Sequence, residues 1–528
     1  QGFSRTYDYL DYEDSTRCAT LAMSNIVEND RIIVAGISQT GLSSHTGISY
    51  YAAYDFYGNP IWEKRFAPSD PTFKFNRPMA FRILKKVDSN RYVWAAAGFD
   101  STLDPAWFVM RPFLYYFNSN GDSLKLSHWE YEDNMKLYYV EGLAVDANKN
   151  VVMGGSYTNY IPAPDTGGLW IAKFSPQGNF LWKTIITAPP YDAGTTINDI
   201  TEGNNNNYII SGKDGYFNFD STRYTVWSVG ANGNALWRKR IPRTPDWAQC
   251  SFDVSHAIRL IPAMNHSGYY FITIATTAVD TAMGSCTSIY YCGKLDNYGN
   301  MVWAKTYQRG NEYAEMPYSL AQQKNGDLVF IGNSEAISGD RASSGATMFC
   351  TDSLGNLKWF KLERWATCMN IQTNDQRFFD VSVNDSGNIA RSGGISTQVR
   401  MPCYDTMGDA AWLMLTDSTG KRDISDTFFI DKNDIIVKDI PILPTAIEPI
   451  PQDKAQLIYP SPATHELHIQ HQAKGTLTLY DISGRSVAHY ELKDAKSNID
   501  ISQLSPGIYM AVLQEEGKAK YYQKIVKR

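Results

Sequence analysis

The sequence lacks the patterns that predict helices, membrane spans, metal clusters and the common catalytic loops. No long stretch repeats apolar residues with the 3.6-residue period of a helix, and no apolar run is long enough to span a membrane. The seven cysteines include no Cys-x-x-Cys pair and no histidine-flanked spacing, which argues against a zinc site. Gly-rich phosphate loops, Gly-x-Ser-x-Gly and His-Glu-x-x-His are all absent. A net charge of −6 without a basic stripe argues against nucleic-acid binding.

The sequence does contain a short motif that ends in tryptophan and recurs along most of the chain. The five clear copies are Gly58-Asn59-Pro60-Ile61-Trp62, Gly178-Asn179-Phe180-Leu181-Trp182, Gly233-Asn234-Ala235-Leu236-Trp237, Gly299-Asn300-Met301-Val302-Trp303 and Gly355-Asn356-Leu357-Lys358-Trp359. Two weaker copies, Gly121-Asp122-Ser123-Leu124 and Gly420-Lys421, fill the gaps in the series. The spacing is about 60 residues, and similarity at a fixed period indicates a repeat architecture.

Each repeat also contains an apolar run, the second of four strands, which follows a short turn and leads into a long loop and two further strands. In the sixth repeat we predict strands at 318–321, 328–332, 347–350 and 357–362, with short turns at 324–327 and 352–356. The strands are rich in β-branched and aromatic residues and are bounded by Asn, Asp and Gly. Turns of this composition are typical of β-hairpins, because Gly and Asn tolerate a positive φ.

Four antiparallel strands per repeat, repeated seven times, predict an all-β fold with a seven-bladed β-propeller at residues 1–430. Radial repetition leaves only short, protected sheet edges. An open β-solenoid is the alternative, but solenoid repeats are usually shorter and lack a four-strand rhythm. The chain has 34 Tyr, 23 Phe and 13 Trp. We interpret the repeated tryptophans as core residues between sheets, while carbohydrate stacking stays open for the other aromatic residues.

The N-terminus indicates how the propeller closes. Phe3-Ser4-Arg5-Thr6-Tyr7 resembles Trp303-Ala304-Lys305-Thr306-Tyr307, which is a predicted fourth strand. We therefore expect residues 1 to about 10 to complete the last blade beside Trp412-Leu413-Met414-Leu415. The segment 425–430 is the alternative candidate for that place.

The repeats end near residue 430, and two further regions follow. Residues 431–455 contain four prolines and no glycine, which predicts an extended, semi-stiff linker. Residues 456–528 have a different rhythm, with alternating strands such as Leu467-His468-Ile469 and Thr476-Leu477-Thr478-Leu479-Tyr480. This pattern predicts a small C-terminal antiparallel β-sandwich.

Residues 456–528 contain four short motifs in order: Tyr459-Pro460-x-Pro462, Leu479-Tyr480-Asp481-x-x-Gly484-Arg485, Leu504-x-x-Gly507-x-Tyr509 and Lys524-Ile525-Val526-Lys527. Together they resemble the C-terminal type A sorting domain of type IX secretion cargo, found in Bacteroidota. The first motif has Ser461 where Asn is usual. The resemblance implies that a sorting signal is formed by the residues of these motifs: Tyr459, Pro460, Pro462, Tyr480, Asp481, Gly484, Arg485, Gly507, Tyr509, Lys524 and Lys527.

The same resemblance implies a secretion route and its partners. We expect export across the outer membrane, recognition of the tail by the type IX translocon and its shuttle, and a cell-surface or extracellular location. Cleavage of the tail and attachment to surface lipopolysaccharide often accompany this route. The propeller resembles the uncharacterised repeat regions of such cargo, which implies no function for it.

The sequence favours a secreted binding or interaction module, with no catalytic, metal or cofactor site predicted. Its ligand is expected to be a glycan, a protein or another envelope component. Two alternatives stay open. One is an enzyme (a lyase, hydrolase or quinoprotein) with its site in the central channel, which a carboxylate pair at the channel mouth would favour. The other is a structural or assembly component of the envelope.

The expected ligand face of the propeller follows from strand direction. Antiparallel alternation places both short turns of each repeat on one face, so the long connections lie on the other. Because loops on a rigid scaffold carry function, we predict ligand contacts on the long-loop face, with the candidates Trp107, Tyr160, Arg400 and Tyr404.

Overall fold

The computed structural model of the chain divides into two compact units, Gln1–Pro449 and Ile450–Arg528. The residues that the structure describes are 3–7, 17–40, 47–66, 75–79, 84–100, 110–129, 136–159, 167–187, 196–204, 207–214, 223–242, 258–280, 285–310, 313–336, 345–363, 375–397, 408–421, 427–440, 458–459, 463–470, 474–481, 485–492, 496–515 and 521–528. Within these ranges no helix has the length and apolarity needed to cross a membrane.

The first unit is built from short strands, with a short 3-10 helix at Lys432–Asp434. Its strands in chain order are β1 (Phe3–Tyr7), β2 (Arg17–Val27), β3 (Ile32–Thr40), β4 (Gly47–Tyr54), β5 (Pro60–Arg65), β6 (Phe75–Met79), β7 (Leu84–Asp88), β8 (Arg91–Asp100), β9 (Met110–Asn118), β10 (Ser123–Ser127), β11 (Lys136–Tyr138), β12 (Gly142–Val145), β13 (Val151–Asn159), β14 (Gly167–Phe174), β15 (Phe180–Thr187), β16 (Thr196–Glu202), β17 (Tyr208–Asp214), β18 (Arg223–Val229), β19 (Ala235–Arg240), β20 (Arg259–Pro262), β21 (Tyr269–Asp280), β22 (Ser285–Leu295), β23 (Met301–Gln308), β24 (Tyr313–Gln322), β25 (Leu328–Ala336), β26 (Gly345–Thr351), β27 (Leu357–Glu363), β28 (Asp375–Val383), β29 (Ile389–Thr397), β30 (Gly408–Thr416), β31 (Thr427–Ile430) and β32 (Ile436–Asp439).

These strands form antiparallel sheets in which sequence neighbours pair, as the repeat predicts. Sheet 2 contains β6 to β10, sheet 3 contains β11 to β15, and sheet 4 contains β16 to β19. Sheets 5 and 6 contain β20 to β23 and β24 to β27, each with one extra strand. The four strands predicted for the sixth repeat are confirmed as β24 to β27.

Sheet 1 has eight strands and joins the two ends of the repeat region. Its first half is β2 to β5, and its second half is β28 to β30 with β1 paired to β30. The halves meet through a parallel pairing of Ala19 with Asp409. The register of β1 runs from Phe3 opposite Leu415 to Tyr7 opposite Ala411. The predicted closure by the N-terminal strand is therefore confirmed.

The alternative closing segment, 425–430, has a different position: its described part, β31, lies at the outer edge of sheet 6, and the strand that follows it lies at the outer edge of sheet 5. Strand β31 pairs with β27 of sheet 6, and β32 pairs with β23 of sheet 5. We call residues 427–440 the strap. Ile435 is 6% exposed and packs in the core between sheets 5 and 6, which anchors the strap. The predicted linker at 431–455 thus overlaps the strap over 431–440, and residues 441–455 lie outside the described residues.

The sheets pack face to face in a cycle that returns to its start. Alternate residues of one strand face opposite neighbours, so Phe330 of β25 packs against sheet 5 while Val329 packs against the second half of sheet 1. Equivalent apolar cores join sheet 1 to sheet 2, 2 to 3, 3 to 4, and 4 to 5. The last core joins the two halves of sheet 1. Sheets that surround a common axis in this way form a β-propeller.

The repeated motif that ends in tryptophan forms contacts between each sheet and the next. The indole Nε1 of Trp303 in sheet 5 donates to the carbonyl of Ser353 in the last turn of sheet 6, at 3.1 Å. Gly355 of the same turn has φ +78°, and a Cβ added there would lie 2.8 Å from the Trp303 ring. Glycine is needed at this position for both reasons. Trp62 and Trp182 make the same indole contact, with Ser119 and Ala231.

The second unit is a small β-sandwich. One sheet has the order β33-β34-β37 and the other β36-β35-β38-β39, and both contribute to one apolar core that includes Leu467, Leu479 and Leu513. Its strands are β33 (Ile458–Tyr459), β34 (Glu466–Gln470), β35 (Gly475–Tyr480), β36 (Ser486–Leu492), β37 (Lys496–Asp500), β38 (Gly507–Glu515) and β39 (Tyr521–Lys527).

Candidate functional site: the axial cavity

The first strands of the repeats line a cavity of about 700 Å³ at the centre of the first unit. The lining comes from β2, β7, β16, β20, β24 and β28 and from residues at each end of β12. The cavity extends to the turns that follow these strands, where Ala147, Asn204 and His266 form its rim. Its size lies within the usual range for small-molecule sites.

Four charged side chains from successive sheets line one part of this cavity. Lys85 comes from sheet 2, Glu141 from the start of β12 in sheet 3, Asp199 from sheet 4 and Arg259 from sheet 5. The positive charges of Arg259 and Lys85 both act on the Asp199 carboxylate, and Arg259 also acts on Glu141. We call these four residues the charged cluster.

Asp199 is held in place by backbone amides of two sheets. It follows a bulge in β16. One of its oxygens accepts from the Ile200 amide at 2.9 Å, and the other accepts from the Leu260 amide of sheet 5 at 3.3 Å. Burial raises the pKa of Asp199, and the charges of Arg259 and Lys85 oppose that effect.

Glu141 is the second carboxyl of the charged cluster. Its Oε2 accepts a hydrogen bond from the Ser156 hydroxyl at 3.2 Å. Burial raises the pKa of Glu141 to about 7, and the hydrogen bonds from Ser156 and the charge of Arg259 limit the rise. A carboxyl with such a pKa is able to donate or accept a proton near neutral pH.

Asp380 in β28 has a structural role at the cavity wall. Its Oδ1 accepts from the Ser319 hydroxyl of sheet 6 at 3.0 Å, and its Oδ2 accepts from the hydroxyl of Ser24 and the amide of Asn25 in β2, at 2.7 and 3.1 Å. One carboxylate thus links sheet 6 to both halves of sheet 1. Its oxygens are satisfied by the protein itself.

The rim of the cavity is fixed by side chains that bridge neighbouring turns. His266 has φ +56°, and its carbonyl accepts from the amide groups of Asn204 at 3.1 Å and Asn297 at 3.0 Å. Glu202 Oε1 accepts from the backbone amide of Ala147 at 2.8 Å. The mouth of the cavity is therefore held by contacts between sheets 3, 4 and 5.

The residues of the charged cluster were not among those predicted from the sequence. Trp107, Tyr160, Arg400 and Tyr404 lie outside the described residues. The sequence signal for the cluster is weak: a charged residue within a short first strand, as Asp199 in Thr196–Glu202. The described residues contain no group of three or more His, Cys, Asp or Glu that could hold a metal ion.

The predicted sorting-signal residues lie on several strands of the second unit. Tyr459 pairs with His468, Tyr480 ends β35, and Gly507 pairs with Lys527. Asp481 accepts from both the backbone amide and the Nε of Arg485, each at 3.1 Å, which closes the predicted hairpin turn. Tyr509 pairs with Ile525, and its hydroxyl donates a hydrogen bond to the Ser505 carbonyl. Lys524 pairs with Met510. Pro460, Pro462 and Gly484 lie outside the described residues.

Several solved structures resemble the chain distantly. A protein of unknown function from Bacteroides caccae has 11% identity and a TM-score of 0.33, and the match covers 59% of this chain and 89% of that chain. The β-propeller domain of the Trilobed protease from Pyrococcus furiosus has 7% identity and a TM-score of 0.36, covering 72% of this chain and 92% of that chain. No curated protein matches the chain by sequence.

The second unit has a clear family assignment. Residues 457–528 match the family described as the secretion system C-terminal sorting domain. This match covers all the strands of the β-sandwich and the whole region that carries the predicted sorting motifs. The C-terminal unit thus belongs to the sorting-domain family, and it marks the chain as cargo of the type IX secretion system, bound for the cell surface or the extracellular space.

Proposed function

We propose that the first unit is a binding module displayed by type IX secretion, and that it holds a small polar ligand in the axial cavity. The observation that carries this proposal is the cavity of about 700 Å³, into which four sheets direct the charged cluster. Rigid strands position these side chains, and a rigid scaffold reduces the entropy lost on binding.

The proposal includes seven blades, with the eight-stranded sheet 1 counted as two. Each half of sheet 1 has the four-strand order of sheet 4, and an apolar core separates the halves like any two neighbouring sheets. We also propose that residues 431–455 connect the propeller to the sorting domain at 456–528. The first part of this connection, residues 431–440, belongs to the strap.

The experiment that tests the binding site blocks the cavity mouth. Ala147 is exposed at the rim, so Ala147→Trp places an indole across the opening without replacing a core residue. Asn120→Trp is the matched control, because Asn120 is exposed on an outer turn that does not line the cavity. Both variants and the wild type are applied to a glycan array and to immobilised envelope extract.

Loss of a bound ligand with Ala147→Trp but not with Asn120→Trp is the expected result. If both variants bind like the wild type, the axial site is wrong. Binding that is instead lost when residues 398–407 are exchanged for a short Gly-Asn turn would place the site on the predicted long-loop face, near Arg400 and Tyr404.

A second candidate function is acid–base catalysis in the same cavity. The observation that favours it is the pair Glu141 and Asp199, two carboxyls with raised pKa values that share Arg259 as a neighbour. In a hydrolase or lyase, Glu141 would serve as the general acid. Glu141→Gln keeps the shape of the side chain, so it should abolish turnover of a bound saccharide while leaving its Kd within about twofold. Equal turnover by this variant would remove the candidate.

A further inference from the structure

The hydrogen bonds of the carboxylates lining the cavity are largely satisfied by the protein. Both oxygens of Asp199 and both oxygens of Asp380 accept from the protein, as described above. Glu202 accepts from the Ala147 amide and Glu141 from the Ser156 hydroxyl. Asp380 accepts four hydrogen bonds, because its Oδ1 also accepts from the Val381 amide at 3.0 Å, so it has no acceptor site left for the donors of a ligand. Asp199 accepts two hydrogen bonds, both from backbone amides that fix its position.

Two of the cations that line the cavity use little of their hydrogen-bonding capacity within the protein. Lys86 forms an ion pair with Glu28. Lys85 is exposed, and within the described residues its amine has no hydrogen bond or ion pair. Arg259 is half-buried and donates one hydrogen bond, from Nη1 to the Asn198 carbonyl. A guanidinium has five N–H donors and an ammonium has three, so most of the donors of these two cations remain open to the cavity.

The location of these donors favours one kind of ligand. Lys85 and Arg259 reach the cavity from sheets 2 and 5, and both of their charges act on Asp199. Asp199 is fixed by backbone amides and cannot turn to satisfy either cation fully. A second anionic group in the cavity would take up their remaining donors, and such charge-assisted hydrogen bonds are the strong ones.

We propose that the axial cavity recognises a small ligand through an anionic group, a carboxylate, phosphate or sulfate, that is bound by Lys85 and Arg259. This inference rests on the axial cavity being the ligand site, and it adds the chemical class of the ligand. Arg259 supplies a planar fork suited to two oxygens, and Lys85 supplies a mobile point charge from another sheet.

Calorimetric titration of the full-length protein tests the proposal. The probes are galacturonate, inorganic phosphate and sulfate, with galactose as the neutral match for galacturonate. We expect at least one anion to bind and galactose to bind at least about tenfold more weakly, the effect of losing a hydrogen bond to a charged group. The anion that binds best identifies the source of the charge.

Substitutions assign the binding to the two cations. Lys85→Gln and Arg259→Gln should each raise the Kd of the anion about tenfold or more, and Arg259→Lys should recover part of the loss. Lys324→Gln is the matched control, because Lys324 is exposed and does not line the cavity. Thermal melting confirms that each variant is folded. Lys85→Gln keeps the test valid if Arg259→Gln does not fold, because Lys85 is exposed.

Two results would overturn the proposal in distinguishable ways. Equal binding of galactose and galacturonate, still abolished by Ala147→Trp, would remove the anion preference and leave the axial site standing. Anion binding that neither Ala147→Trp nor Lys85→Gln changes would remove the axial site as well.

Discussion

Arg5 donates a hydrogen bond from Nη1 to Oδ1 of Asn59 at 3.2 Å and so joins the first strand of the chain to the last turn of the first repeat. Lys305 makes the corresponding contact further along, from Nζ to Oδ1 of Asn356 at 3.1 Å. Arg5 thus takes the place that a lysine has in a fourth strand. The contact explains why the N-terminal sequence resembles that of β23, because both strands meet the Gly-Asn turn of the next repeat.

Deletion of residues 1–7 should open the ring at this point. The deletion removes β1, exposes the edge of β30 and removes the buried Phe3 and the hydrogen bond between Ser4 and Trp412. An exposed sheet edge promotes association, so we expect a lower Tm and oligomers in size-exclusion chromatography. Arg5→Ala is the control for the side-chain contact alone and should cost less than about 1 kcal/mol, because Arg5 is exposed. An unchanged Tm after the deletion would contradict the closure.

The contact between the turn glycine and the tryptophan of the preceding sheet can be measured with two glycine substitutions. Gly355 and Gly326 both have positive φ, +78° and +91°, but only Gly355 has a neighbour where a Cβ would be, the Trp303 ring at 2.8 Å. Gly326→Ala should cost about 1 kcal/mol from backbone strain. Gly355→Ala should cost a further 1–3 kcal/mol, about the amount expected for overpacking. Urea unfolding measures both, and equal losses would show that the contact between sheets contributes nothing.

The stability of the first unit should fall between pH 5 and pH 8 because of Glu315. This residue is 0% exposed, and its Oε2 has no partner among the described residues. Burial raises the pKa of Glu315 from 4.5 to about 7, while hydrogen bonds from the Arg309 amide and the Ser334 hydroxyl limit the rise. A raised folded-state pKa gives stability that is complete below pH 4.5 and is lost as the pH rises through 7.

The loss is at most about 3 kcal/mol from this group, and Glu141 adds to it with the same sign. Urea unfolding of wild type and Glu315→Gln at several pH values gives the measurement. The variant cannot titrate at this position, so its dependence on pH should be weaker. A wild-type protein that is more stable at pH 8 than at pH 5 would rule out this interpretation.

Removal of residues 456–528 should separate folding from export. The two units have separate apolar cores, so the truncated first unit should keep its far-UV spectrum and Tm. Without the sorting domain the protein should accumulate inside the cell envelope, which immunoblots of fractionated cells would show. Lys149→Gln in the full chain, a charge change on an exposed turn, is the export control. Normal surface delivery of the truncated protein would contradict the sorting role.

Local sequence patterns were sufficient to predict the strands, the turns and the closure of the propeller. Gly355 and Trp303 recur because each repeat forms the same contact with the next, and a contact made in every repeat leaves a period in the sequence. The strand that contains Arg5 could be predicted as a fourth strand for the same reason. The sorting domain could also be predicted from the sequence, because its motifs occur in order within one short region.

The charged cluster and the strap were decided by the tertiary structure alone. Lys85, Glu141, Asp199 and Arg259 are separated by 56 to 60 residues at each step. Only the packing of four sheets about one axis brings them to the same cavity. Strand β31 had several unpaired edges available, and burial of Ile435 between sheets 5 and 6 selects its place. A sequence records the preference of each segment for a strand, whereas the partner of an edge and the contents of a cavity depend on which surfaces meet after folding.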